Sequence, residues 1–207
     1  DSGTDSEVVV MGHIVLEKDR LIFRRRDELV VIEAYGKNCL RCRMTRNNNV
    51  SEENWTLLPP ATESNCKTEG DEKIAIITNG DLKAEIEAGF PWYGGVIRFY
   101  RKDKLILQRK QEGDYVNNYV HTEGDNYTVK VIFEANEGEH FYGLGQETED
   151  AFDRKGSTCN LVHYNTKSTL PFLYSSLGYG FLWNNPAPGR CETTNNHTLW
   201  CSDSTYQ

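Results

Sequence analysis

The sequence has no run of about 18 apolar residues, so no stretch of it is long and apolar enough to cross a membrane as a helix. It also lacks a surplus of positive charge. Its 23 Lys and Arg are outnumbered by 31 Asp and Glu, for a formal charge of −8. Binding a phosphate backbone needs a basic stripe. The only basic run, Arg24-Arg25-Arg26, lies between Phe23 and the acidic pair Asp27-Glu28, the pattern of a solvated strand end and turn. Neither nucleic acid nor a membrane is expected as a partner.

Metal-ligand spacing is missing too. The cysteines at 39, 42, 66, 159, 191 and 201 are scattered, and Cys39-Leu40-Arg41-Cys42 is the only close pair. Leu40, Cys42 and Met44 alternate with charged residues, which makes the segment a strand. An offset of three then puts the two thiols on opposite faces, where they cannot hold one ion. His13, His121, His140, His163 and His197 stand singly, without Ser-His-Asp order or His-x-x-x-His spacing. No metal and no cofactor is expected. The start, Asp1 to Glu7, is polar and acidic and has no apolar core of a signal peptide. It reads as a disordered lead-in. With free, scattered thiols it suggests a reducing, cytoplasmic setting. The sequons at Asn49, Asn54, Asn126 and Asn196 keep secretion open as the alternative.

What is present is strand periodicity. With 38% hydrophobic and 11% aromatic residues, the chain can build a core. Apolar and polar residues alternate over His13–Leu16 and Arg20–Arg24, and Leu29–Tyr35 is more continuously apolar, as an inner strand would be. Lys73–Thr78 and Asp81–Glu87 flank Asn79-Gly80, a hairpin signal, with Leu82, Ala84 and Ile86 facing inward. Val96–Tyr100 and Leu105–Arg109 form a second hairpin. Asn126–Glu134 is a long strand with Tyr127, Val129, Val131 and Phe133 on one face. Asn47–Cys66 and Lys110–Gly124 read as loops, and Glu147–Phe152 as at most one helical turn. The expectation is an all-β sandwich spanning 8–207 as one domain.

Three blocks are more specific: His140-Phe-Tyr-Gly-Leu-Gly-Gln-Glu147, then Leu170-Pro-Phe-Leu-Tyr-Ser-Ser176, then Gly178-Tyr-Gly-Phe-Leu-Trp-Asn-Asn-Pro186. Together they resemble the end of the N-terminal β-sandwich domain of glycoside hydrolase family 31, which includes α-glucosidases and α-xylosidases. The resemblance implies a mutarotase-like supersandwich. It places the catalytic aspartates on a (β/α)8 barrel beyond this domain, and the Trp-x-Asp-Met-Asn-Glu type of strand end that holds the nucleophile does not occur here. On that reading the chain contains no catalytic residue and ends short at its C-terminal side. The parent would be a retaining, exo-acting α-glycosidase. This domain would pack on the barrel and lend a loop around Tyr164–Ser168 to the sugar subsite. Tyr164, Asn165 and Thr166 are the substrate-binding candidates, because sugar hydroxyls need paired donors and acceptors and a ring face. The partners implied are an α-linked glucoside or xyloside and the missing barrel.

Read without the resemblance, the same residues leave alternatives. Phe141-Tyr-Gly-Leu-Gly145 is a place where the backbone passes closely or takes a positive φ. It is not a nucleotide loop, since Thr148 stands where a third glycine would be needed. Gln146-Glu147-Thr148-Glu149-Asp150-Ala151-Phe152-Asp153 could supply two carboxyls roughly 5 Å apart, as a retaining glycosidase requires, but reads as a solvated acidic loop. Trp183 reads as core. Trp92 and Tyr93 could form the platform of a stand-alone carbohydrate-binding module. A self-contained mutarotase would need His121, His140 or His163 to meet Glu147 in one cleft.

Overall fold

A computed structural model describes residues 13–25, 28–60, 62–89, 95–110, 119–148 and 151–205. The strands β1 (His13–Leu16), β2 (Arg20–Arg25), β3 (Glu28–Ala34) and β4 (Leu40–Thr45) form one antiparallel meander. The strands β5 (Cys66–Gly70), β6 (Ile74–Asn79), β7 (Leu82–Glu87), β8 (Val96–Arg101) and β9 (Lys104–Gln108) form a second. The two sheets close on each other because their alternation presents one apolar face each. Leu21, Phe23, Val30 and Ile32 meet Ala75, Ile77, Ala84 and Ile86, all of them buried. Lys83, Glu85 and Glu87 point the other way, and Arg98 ties Glu85 and Glu87 on that outer face at 2.9 and 2.8 Å.

A second sandwich follows. It contains β10 (Tyr119–His121), β11 (Tyr127–Glu134), β12 (Phe141–Gln146), β13 (Thr158–Leu161), β14 (Ser168–Ser175), β15 (Tyr179–Leu182), β16 (Gly189–Thr193) and β17 (His197–Thr205). One sheet runs β10-β11-β17-β16-β13 and the other β12-β14-β15. Val131, Phe133, Phe141, Leu144, Leu173 and Trp200 fill the space between them. Phe181 stacks on Trp200 at 5.1 Å and Trp183 at 6.1 Å. The Trp183 indole N–H donates to Ser202 Oγ at 2.7 Å, so this tryptophan is core packing, as its sequence setting implied. Glu139 is buried beside this core and accepts from the Ser175 hydroxyl (2.5 Å), the Tyr179 hydroxyl (2.7 Å) and the Asn136 amide (3.1 Å).

The two sandwiches are continuous. Ile106 and Leu107 of β9 reach into the second core, and Met44 and Phe99 touch both. Just past β9, Arg109 bridges Phe133 of β11, and Lys110 N–H donates to Ile132 O at 2.8 Å. Arg109 also sends its guanidinium back to β3, where it grips both oxygens of Glu28 at 2.9 and 3.2 Å. Both side chains are under 10% exposed. Burial alone would raise the Glu28 pKa, but the charge and hydrogen bonds of Arg109 outweigh it and hold the carboxyl below its ordinary value. The pairing corrects the sequence reading, in which Glu28 belonged to a solvated turn.

Two strands were not expected from the sequence: β5 begins at Cys66, where the expected 47–66 loop ends, and β10 lies within the 110–124 stretch. Among the described residues there is no helix, including the described part of the 147–152 segment. All six cysteines are free thiols; Cys159, Cys191 and Cys201 are buried.

Glu28→Gln should cost about 3 kcal/mol in urea unfolding, because it removes the carboxylate charge that the buried Arg109 guanidinium grips with two hydrogen bonds. Replacing both residues with Met should recover most of that loss. The pH dependence has a definite sign. Since the folded-state pKa of Glu28 is depressed, its contribution is full above the ordinary value of 4.5 and fades as pH falls through the lower folded value. Unfolding curves from pH 6 downward should therefore be steeper in pH for the wild type than for Glu28→Gln, in the window below about pH 4.5.

Candidate functional site

The site is assembled from the first of the three sequence blocks. Gly143, Leu144 and Gly145 have φ of 118°, 67° and 79°, three consecutive positive values inside a strand. A side chain at Gly143 would put its Cβ 2.5 Å from Phe172 O, and one at Gly145 would sit 2.3 Å from Ser168 O. Both halves of the sequence expectation hold: the backbone takes a positive φ and another strand passes closely. The irregularity shifts the β12–β14 register between Gly143↔Leu173 and Gly145↔Thr169. It buries the Leu144 side chain to 1% exposure. It also accommodates Pro171, which has no N–H to give and whose carbonyl accepts from Trp183 N–H at 2.9 Å.

The bulge aims the chain. Beyond it Gln146 pairs with Ser168, which brings Glu147 beside the turn that precedes β14. That turn is Tyr164-Asn165-Thr166-Lys167, closed by Lys167 N–H donating to Tyr164 O at 2.9 Å, with Thr166 at φ 70°. Tyr164 is 57% exposed, and Asn165 and Thr166 are exposed beside it. The three residues singled out from sequence therefore form the tip of one tight turn. Lys167 does not follow them into solvent. Its Nζ lies 2.7 Å from Glu147 Oε2, and the two side chains are 6% and 8% exposed. The other oxygen, Glu147 Oε1, accepts the Cys159 thiol at 2.9 Å. Burial, together with that neighbouring carboxylate, pushes the Cys159 thiol up to about 12. It is a hydrogen-bond donor here and not a nucleophile.

The acidic segment separates into unlike pieces. Glu147 is committed to Lys167 and Cys159. Asp153 accepts from the backbone N–H groups of Phe141 (3.2 Å) and Lys155 (3.0 Å) and lies 2.6 Å from His140 Nδ1. These partners hold its carboxyl below the usual range despite the opposing effect of desolvation. Glu149 and Asp150 lie outside the described residues. The histidines do not converge on Glu147: His121 Nε2 is 2.8 Å from Gly124 O, His140 is with Asp153, and His163 Nδ1 accepts Thr169 N–H at 3.3 Å. The constellation a self-contained mutarotase would need is not formed around Glu147. Trp92 and Tyr93, the proposed platform, lie outside the described residues.

One feature was missed in the sequence. Along β14, Thr169, Leu173 and Ser175 point inward, while Leu170, Phe172 and Tyr174 are 56%, 36% and 53% exposed. Tyr174 lies opposite Tyr142, which meets the exposed Phe152 ring at 5.1 Å, and Phe172 covers Gly180. The outward face of the three-stranded sheet is thus apolar and aromatic, and its strand β14 begins directly after the Tyr164 turn. The signal was the unbroken apolar character of Leu170–Tyr174, too apolar for a strand with one wet face.

Comparison with known proteins identifies the domain. The family described as glycosyl hydrolase 31 N-terminal galactose mutarotase-like domain matches residues 29–192. The chain belongs to this family. An uncharacterised family 31 glucosidase of Pseudescherichia vulneris is 29% identical over 221 residues, covering 95% of this chain and 40% of that protein. Alpha-xylosidase A of Aspergillus niger is 33% identical over 82 residues, 40% of this chain and 11% of its own length. A family 31 alpha-xylosidase from a soil metagenome, solved with xylose, superposes with a TM-score of 0.82 at 29% identity, over 93% of this chain and 31% of that one. The chain therefore spans at most about two fifths of these relatives.

Gly145→Ala should destabilise the chain by about 2 kcal/mol in chemical denaturation, since the methyl must displace the β14 backbone. Thr166→Gly, at a φ glycine adopts freely, should change stability by less than about 1 kcal/mol.

Proposed function

We propose that this domain serves a retaining, exo-acting α-glucosidase or α-xylosidase as its N-terminal, non-catalytic part. It docks on a (β/α)8 barrel through the outward face of β14 and its neighbours. From that dock it extends the Tyr164–Ser168 turn into the sugar subsite. The observation that carries the reading is the adjacency of two surfaces. An exposed apolar and aromatic face continues directly into a tight turn whose tip is polar and exposed. Contiguous apolar patches of this kind mark interaction surfaces. The long remainder of each relative provides the occupant, because this segment matches only 31% of the soil-metagenome alpha-xylosidase and 40% of the Pseudescherichia vulneris glucosidase.

The chemistry assigned to the turn is recognition. Bond cleavage in a retaining glycosidase needs two carboxyls roughly 5 Å apart across the sugar. Glu147 and Asp153 are each occupied by structural partners. The tip supplies a phenol ring face at Tyr164, an amide donor and acceptor at Asn165, and a hydroxyl at Thr166. Such groups discriminate between sugars by the hydrogen bonds they leave made or unmade. A pocket that meets the hydroxymethyl of glucose, or the hydrogen in its place on xylose, would be completed from this side.

In the full-length protein, Asn165→Ala should raise KM by roughly threefold to tenfold, the loss of about one hydrogen bond, and leave kcat within about twofold. Assays on 4-nitrophenyl α-glucoside and α-xyloside read this directly. Unchanged constants on both substrates would remove the turn from the subsite. Tyr174→Asp, which puts a charge in the docking face, should make limited proteolysis separate the domain from the rest of the protein more readily than in the wild type.

A further inference from the structure

We propose that the buried pair Glu147–Lys167 is a positioning device that fixes the sugar-recognition turn, with both residues acting through Tyr164 and Asn165 and neither touching substrate. This rests on the subsite reading given above.

A lysine next to an exposed turn has an easy alternative, which is to extend into water. Lys167 instead turns under the turn and places Nζ 2.7 Å from Glu147 Oε2, with side chains 6% and 8% exposed. A buried ion pair adds little stability over an apolar pair of the same size, because desolvation offsets the attraction. What it adds is direction, since the ammonium must sit where the carboxylate is. The carboxylate is itself fixed. Its second oxygen holds the Cys159 thiol at 2.9 Å, and its backbone is one residue beyond the Gln146↔Ser168 pair. The Gly143–Gly145 bulge sets where that pair falls.

From Lys167 the constraint passes outward by two routes. Its ammonium lies over the Tyr164 ring, 5.5 Å from the centroid, a cation–π contact that orients the phenol. Its backbone N–H closes the turn on Tyr164 O at 2.9 Å. Tyr164 and Lys167 are the two ends of the turn, so Asn165 and Thr166 are suspended between fixed points. A tip held in this way meets a sugar with little ordering left to do, which lowers KM without touching the chemical step.

The test uses the full-length protein with 4-nitrophenyl α-glucoside and α-xyloside. Asn165→Ala, Lys167→Met, Lys167→Arg and the double variant Lys167→Met/Asn165→Ala are compared. Lys167→Met is expected to raise KM by roughly the same threefold to tenfold as Asn165→Ala, with kcat within about twofold. Lys167→Arg, which can still pair with Glu147, should restore at least about half of the lost kcat/KM. The double variant should be no worse than Asn165→Ala alone within about twofold, because both changes remove one interaction. A normal KM for Lys167→Met alongside a raised one for Asn165→Ala overturns the device and leaves the subsite reading standing. Multiplying losses in the double variant overturn it also. An inert Asn165→Ala removes the subsite reading, and the device with it. Should Lys167→Met fail to fold, Glu147→Gln keeps the volume and an acceptor for Lys167 while removing the charge, and the same KM rise is expected. A normal KM for that variant overturns the proposal.

Discussion

Glu28 and Arg109 meet across 81 positions of chain, and the placement of the rest depends on where they meet. Arg109 stands where the polypeptide leaves the sheet of β5–β9 and joins β11 of the next sandwich. Its side chain returns to Glu28 at the start of β3, in the sheet of β1–β4. One residue therefore ties the opening sheet, the second sheet and the start of the second sandwich to a common point. The phenol of Tyr119 is buried nearby, and burial and the Glu28 charge both oppose its ionisation. A buried pair of this kind contributes alignment more than net stability. Removing one partner is costly because it withdraws the closest opposite charge from a buried group. Two sandwiches built of short strands have many near-equivalent ways to slide, and a charge pair that tolerates one geometry excludes the others.

From that fixed junction the second sandwich carries the surface to which we assign the function. Its core is closed by Trp200, Phe181 and Trp183. The sheet that covers this core, β12-β14-β15, is apolar on both faces. The inner face fills the sandwich, and the outer one leaves Leu170, Phe172 and Tyr174 exposed. The Gly143–Gly145 bulge does two jobs at once: it sinks Leu144 into the core and places Glu147 under the Tyr164 turn. Packing, register and the exposed tip are thus consequences of one backbone irregularity.

Much of this was legible in the sequence. The hairpins of β6–β7 and β8–β9 follow from alternation and from two-residue connections, and β11 from its four alternating apolar residues. Tyr164, Asn165 and Thr166, singled out from sequence as substrate-binding candidates, lie in one tight turn. Two edge strands were not legible. Cys66–Gly70 and Thr158–Leu161 each sit at the edge of a sheet, are largely exposed, and so show no apolar alternation. The buried charges were hidden for another reason. Glu28 sits in an arginine-rich turn sequence and Glu147 in an acidic one, which is how solvated groups look. Their partners are 81 and 20 positions away, and only the folded register brings them together. The exposed face of β14 lies in an unbroken apolar run, whose sequence does not separate the covered face from the open one.

We propose above that this domain completes a sugar subsite from outside the catalytic barrel. The most direct measurement is a crystal structure of the full-length protein with a bound α-xyloside or α-glucoside. The Asn165 amide or the Thr166 hydroxyl should lie within hydrogen-bond distance of a sugar hydroxyl, with β14 packed against the barrel. A sugar bound in the barrel with the Tyr164–Lys167 turn in open solvent and the face of β14 uncovered would contradict it.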